Sequence, residues 1–131
     1  RLHPELRDAF ARPEGVPRFD LVLLGMGDDG HTASLFPGTD ALSADSALAV
    51  ANFVPKLDAD RLTLTAPVLN AGRDILFLAG GPGKAATLER VLAGPETSRE
   101  LPAQSIRPSH DDGTLTWLVD EDAAARLRRE R

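Results

Sequence analysis

Cysteine and tyrosine are absent from this 131-residue chain, and methionine and tryptophan occur once each. Without cysteine there is no disulfide scaffold, no thiolate metal site and no sulfur nucleophile. The three histidines, His3, His31 and His110, are too few and too scattered for a multi-histidine metal centre. Lysine is nearly missing as well: only Lys56 and Lys84 occur, so each calls for an explanation. The net charge is −5, and no basic stripe is interleaved with aromatics. That argues against nucleic acid or an anionic membrane surface as a partner. No apolar run approaches the length of a membrane-spanning helix. The only methionine is Met26, so Arg1 is not a translational start. The expectation is a processed chain or a piece of a longer protein, and the missing signal peptide carries no information.

What is present fits one globular α/β domain over residues 1–131. Apolar residues make up 42% and charged residues 27%, ordinary for a folded chain. Residues 4–11 predict the end of a helix, stopped by Pro13 and Gly15. Phe19 to Leu24 is an apolar run broken only by Asp20, the pattern of a strand buried on both faces. His31 to Phe36 predicts a short helical turn, ended by Pro37-Gly38. Residues 48–54 and 61–65 read as strands with Pro55 between them, and 66–71 as a short helix. Ile75 to Ala79 is a second apolar strand. It leads through Gly80-Gly81-Pro82-Gly83 into a helix from Lys84 to Ala93, with Gly94 as its stop. Thr114 to Val119 is a third strand. Asp120 would cap a last helix, with Glu121 and Asp122 in its first turn and Arg126, Arg128 and Arg129 in its last.

Apolar strands alternating with helices predict a mainly parallel sheet, whose ligands bind at the carboxyl ends of the strands. Both glycine-rich loops, 25–30 and 80–83, follow apolar strands and should share that edge. The first, Gly25-Met26-Gly27-Asp28-Asp29-Gly30, matches the dinucleotide pattern G-x-G-x-x-G literally. The physics opposes that assignment. Pro37-Gly38 breaks the chain before a long crossover helix can form, and Asp28 and Asp29 would repel a pyrophosphate. The second loop is no Walker sequence, because Leu78 stands where the first glycine is required and Ala85 follows Lys84. Lys84 nevertheless sits at a helix N-terminus, where the macrodipole disfavours a cation. An anion held between backbone N–H groups and the ammonium would account for it; so would a solvated lysine that tolerates the small cost. His31 follows directly on the first loop, and a neutral imidazole suits the activation of water. Asp29 could orient that ring or bind a substrate hydroxyl, with Gly30 giving the backbone freedom. A surface loop with a capping aspartate and an idle histidine has the same spacing. His110, in a turn-like "PSHDDG", and His3 have no supporting context.

The stretch "DLVLLGMGDDGHTASLFPG" closely resembles the signature of 6-phosphogluconolactonases. The resemblance continues through "VPKLDADRLTLTAPVLNAGRDILFLAGGPGKAATLERVLAG", "LPAQSIRP" and "GTLTWLVDEDAA", from Phe19 onward. It implies a Rossmann-like three-layer α/β sandwich of the sugar-phosphate isomerase/lactonase type. It also implies hydrolysis of 6-phosphoglucono-δ-lactone to 6-phosphogluconate, in the cytoplasm, with no metal or other cofactor. Carried over by position, His31 would be the water-activating base with Asp29 beside it, and Lys84 would hold the substrate phosphate. Arg61 matches the family's "R-x-T-L-T" strand, with either a substrate-binding or a structural part. Gly27 and Gly30 would offer the loop backbone to the substrate.

The deaminase branch resembles Asp-Gly-His-Ile-Ala-Phe-Asn-Glu-Pro at this place, and its glutamate falls on Phe36, which can do no proton work. A sugar-phosphate-sensing domain without turnover is the other alternative, although it has no need of a base. Lactonases of this type also carry a Gly-Ser-rich phosphate loop and an Asp-Glu-Arg motif in an N-terminal half. Neither occurs here, so the expectation is a C-terminal half, lacking part of the phosphate cradle and of the sheet, whose activity alone is in question.

Overall fold

Two of the five strands are the apolar runs, and the order of elements follows from where the strand-like stretches are interrupted. The computed structural model describes residues 2–10 and 15–127. In chain order these hold α1 (Leu2–Ala9), β1 (Leu21–Gly25), β2 (Ala49–Val54), β3 (Ala59–Leu64), α2 (Ala66–Asn70), β4 (Asp74–Ala79), α3 (Ala85–Ala93) and β5 (Thr114–Val119). Strands β1, β4 and β5 form a parallel sheet in the order β1-β4-β5, with Leu23 opposite Leu76 and Leu76 opposite Thr116. The mixed α/β class with a parallel sheet is as expected. The hairpin β2–β3 is a separate antiparallel pair, Asn52 opposite Arg61.

Side chains alternate across the parallel sheet, so each strand offers one row to the core. Val22, Leu24, Ile75 and Phe77 are buried there against Leu69 of α2 and Leu88 and Val91 of α3. Phe77 is fully enclosed and stacks on Trp117 of β5, ring centroids 3.9 Å apart. The opposite row carries Leu21, Leu23, Leu78 and Leu118, each more than half exposed. Of the three layers implied by the resemblance, the described residues thus supply the sheet and the layer on one face. A cleft of about 380 Å³ also lies between β1 and the hairpin, lined by Leu21, Leu23, Leu62 and Leu64 among others.

Two predicted elements take another form. Residues 31–36 make no helical turn: Thr32 and Leu35 bridge as an isolated β pair, with Ala33 left-handed at φ 50°. Tertiary hydrogen bonds decide this. Thr32 Oγ1 donates to the Gly25 carbonyl at 2.7 Å, and the Ser34 N–H donates to Thr63 Oγ1 at 3.2 Å. Asn52 Nδ2 donates to the Ser34 carbonyl at 2.9 Å.

After β5, residues 121–127 form turns rather than a helix. Asp120 does accept the Ala123 N–H at 2.8 Å, but the same carboxylate also binds the Gly81 N–H at 2.9 Å. It therefore braces the second glycine-rich loop as well as the turn. Arg128 and Arg129, and the predicted stop at Pro13 with Ala11, lie outside the described residues, as does the His3 side chain. α3 begins one residue later than predicted, since Lys84 closes a 3-10 turn that runs from Pro82.

The hairpin is pinned to the segment after His31 by Asn52, only 1% exposed. Besides Ser34, its amide donates to Thr39 Oγ1 at 2.9 Å and accepts the Ala41 N–H at 3.2 Å. Truncation would strand these partners in a buried setting, where an unmet hydrogen-bonding group is costly. Asn52→Ala is expected to lower unfolding stability by about 2–3 kcal/mol, measured by urea titration. A loss below about 0.5 kcal/mol would mean the network contributes little.

Candidate active site

Both glycine-rich loops leave the same edge of the sheet, because β1 and β4 are parallel neighbours with Gly25 opposite Leu78. The loop after β1 closes on itself through two backbone bonds. The Gly27 N–H donates to the His31 carbonyl at 2.9 Å, and the Gly30 N–H donates to the Gly27 carbonyl at 3.0 Å. Gly30 holds φ +83° and lies against Leu101, so both its conformation and its lack of a side chain are required. At Gly27 the constraint is space: a Cβ would land on the His31 ring. Both amides are therefore spent within the loop, although Gly27 does line the cavity described below.

Asp29 and His31 meet as their spacing allows. Asp29 Oδ1 accepts the His31 backbone N–H at 3.0 Å and lies 2.5 Å from ring Nδ1. Its other oxygen, Oδ2, accepts from Lys56 Nζ. Burial raises the Asp29 carboxyl pKa, but the Lys56 ammonium and the His31 backbone and ring contacts outweigh it and bring it to about 2. An ionised carboxylate has no proton to give, so in neutral His31 the shared proton belongs to Nδ1 and Nε2 keeps its lone pair. The ring stacks on buried Phe36, centroids 4.2 Å apart and planes within 19°.

Lys84 reaches back across the edge to the first loop. Its Nζ lies 2.9 Å from Asp28 Oδ1, and Thr87 Oγ1 of α3 donates to the Asp28 carbonyl at 2.5 Å. His31, Lys84, Gly27, Gly25, Met26 and Ala33 line one cavity of about 440 Å³ at this edge. Arg61 is not among them; it is exposed in the middle of β3. His110 is exposed in the turn before β5. Among the described residues, no cluster of three or more His, Asp or Glu is placed to hold a metal ion, and no helix is long and apolar enough to cross a membrane.

Sequence reasoning had not placed Lys56, nor Phe36 as a platform for the imidazole. Lysine scarcity was a usable signal for Lys56, but its partner lies 27 residues away across a hairpin. The chain's only two lysines each neutralise one aspartate of the loop, Lys84 on Asp28 and Lys56 on Asp29.

The depressed Asp29 pKa fixes a pH dependence. A carboxyl at about 2 in the fold, against an ordinary 3.8, stabilises the fold fully above pH 3.8 and loses that contribution as the pH falls through 2. The expected difference between the protein and Asp29→Asn in urea unfolding is about 2 kcal/mol near neutral pH. It should vanish toward pH 2. Identical pH profiles for the two would contradict the ionised carboxylate.

Comparison with known proteins bears on the family and the fold. The sequence model of the family described as Glucosamine-6-phosphate isomerases/6-phosphogluconolactonase matches residues 1–117. The 6-phosphogluconolactonase of Rattus norvegicus is 48% identical over 124 residues, covering 94% of this chain and 46% of that protein. Among solved structures, the DevB protein superposes with a TM-score of 0.83 at 39% identity, over 95% of this chain and 51% of that one. The 6-phosphogluconolactonase from Trypanosoma brucei gives 0.74 at 32% identity, over 86% and 44%. The chain thus spans about half the length of the curated relatives it matches. On sequence and fold together, it belongs to the glucosamine-6-phosphate isomerase/6-phosphogluconolactonase family.

Proposed function

We propose that this chain is the base-bearing portion of an enzyme that hydrolyses 6-phospho-D-glucono-1,5-lactone to 6-phospho-D-gluconate in the cytoplasm. The observation that carries the proposal is the single cavity lined by both His31 and Lys84, with the ionised Asp29 behind the ring. Residues 1–131 then act as one α/β unit within a longer lactonase, with a phosphosugar lactone as the ligand and no cofactor.

Neutral His31 takes a proton from water through Nε2 as the water oxygen attacks the lactone carbonyl. The carbonyl oxygen becomes the oxyanion of a tetrahedral intermediate. Its collapse breaks the bond to the ring oxygen, which leaves with the proton returned from the imidazolium, giving a carboxylic acid and a free hydroxyl. Asp29 favours the imidazolium formed midway and holds Nδ1–H in place. Lys84 supplies a cation for the remote phosphate, fixing the carbonyl near His31. At its place by the N-terminus of α3, a dianion exchanged for the single charge of Asp28 gains from both the ammonium and the helix. The deaminase-type alternative needs a carboxylate where Phe36 stands, and that ring is buried against His31.

The test is lactone hydrolysis by a polypeptide of full family length that carries this chain, with spontaneous hydrolysis subtracted. His31→Ala is expected to lower kcat by about 10²–10⁴; a near-normal kcat removes His31 as the base. Lys84→Ala should chiefly raise KM, by about tenfold or more. Unchanged affinity for the phosphorylated substrate would separate Lys84 from phosphate binding.

A further inference from the structure

We propose that Lys56, at the tip of the β2–β3 hairpin, is a positioning residue that locks Asp29 onto His31 and thereby holds the imidazole with Nε2 free of hydrogen. The inference rests on the proposed use of His31 as a base, but its first readout does not. A carboxylate on a short loop has two equivalent oxygens and can turn about its terminal torsion, which is broad rather than staggered. Left alone with one imidazole, Asp29 could present either oxygen or swing toward solvent. Here Oδ1 takes both the His31 backbone N–H and Nδ1, and Oδ2 is occupied by the Lys56 ammonium. The carboxylate is held at both ends.

The hairpin is built to deliver that ammonium. Val54 and Ala59 are its last cross-strand pair, and residues 55–58 make a 3-10 turn closed by Asp58 in the left-handed region at φ 46°. Pro55 opens the turn with its fixed φ, and Lys56 follows. The hairpin's orientation is set partway along its strands by Asn52 and Thr63, which bond the segment just after His31. Lys56 Nζ also lies 5.5 Å from the centroid of the Phe36 ring, the same ring on which His31 stacks. One aromatic side chain therefore gauges the position of both partners of Asp29.

The charged groups around Asp29 come from three elements. They are His31 on its own loop, Lys56 from the hairpin, and the neighbouring Asp28 with Lys84 from the start of α3. Lys84 is engaged by Asp28, so Lys56 is the cation that answers Asp29. The Lys56 side chain is 57% exposed, so its role is geometric at least as much as electrostatic.

The experiment uses ¹⁵N-labelled protein, comparing the parent chain with Lys56→Met and Lys56→Arg. Ring ¹⁵N shifts of neutral His31 report which nitrogen carries the proton. The parent and Lys56→Arg are expected to show Nδ1–H alone, and Lys56→Met a mixture with a substantial Nε2–H fraction. The Asp29 carboxyl titration should move up from about 2 in Lys56→Met and stay low in Lys56→Arg. Backbone amide spectra that match away from residues 28–36 and 54–59 show that the fold is intact. In the full-length enzyme, Lys56→Met should lower kcat about tenfold with KM within about twofold, and Lys56→Arg should restore it. A His31 tautomer and an Asp29 titration that are the same in all three proteins overturn the positioning role, whatever the activity does. If the tautomer shifts while hydrolysis proves independent of His31, the positioning stands and the catalytic proposal fails.

Discussion

One carboxylate organises the site. Asp29 divides its two oxygens between an imidazole and an ammonium, and much of the surrounding structure serves to bring those two groups to it. His31 is near in sequence and needs only a loop that folds back on itself. Lys56 is remote, so an entire antiparallel hairpin has to be fixed beside the parallel sheet. A buried or half-buried charge is tolerable only with its hydrogen bonds complete, and here the supporting polar groups are correspondingly well satisfied. Asn52, Thr32, Thr39 and Thr63 are all buried, and each has a partner within 3.2 Å. The polar network and the apolar core divide the labour: Phe77, Ile75 and Leu88 hold the sheet, while the threonines and Asn52 set the segment that carries the ring.

Two of the three glycines that give the loop its nucleotide-like spacing illustrate how a pattern can be satisfied for other reasons. Gly27 is glycine because the His31 ring occupies the space of its side chain, and Gly30 because the chain turns through positive φ against Leu101. Neither leaves an N–H facing outward to cradle a phosphate. The aspartates between them, which would repel a pyrophosphate, each find a lysine instead. The same spacing thus encodes a loop that folds inward on its own carboxylates.

The strands and the shared edge were legible because they follow from local chemistry. The two apolar runs place β1 within two residues and β4 within one, Thr114 to Val119 matches β5, and parallel pairing then puts both loops together. Asp29 and His31 were legible because two residues cannot stray far apart. The form of residues 31–36 was not, since the short helical turn expected before Pro37-Gly38 was overruled by bonds to Gly25, Thr63 and Asn52. The segment after Asp120 failed for a related reason. A capping residue and well-placed charges were present, but its carboxylate is shared with Gly81, and the chain settles into turns. Lys56 was illegible because antiparallel register, turn type and Asn52 together determine where its side chain ends, and none of these is visible at Lys56 itself.

The two aspartate–lysine pairs look alike in sequence and differ physically. Asp29 is 26% exposed, holds three hydrogen bonds and belongs to a closed unit with His31, Lys56 and Phe36. Asp28 is 78% exposed and contributes its carboxylate to Lys84 alone, while its carbonyl is anchored by Thr87. An exposed pair of this kind contributes little stability and is readily exchanged. Removing Asp28 from Lys84 therefore costs little, whereas removing Lys56 from Asp29 disturbs a half-buried charge. This asymmetry suits a site in which one lysine must let go of its partner to receive an anion and the other must not. The exchangeable lysine stands at the cavity and the start of α3, the other against Asp29 beside the ring; a reversal of those places would leave the proposed anion without a cation and the carboxylate behind the imidazole without its second partner.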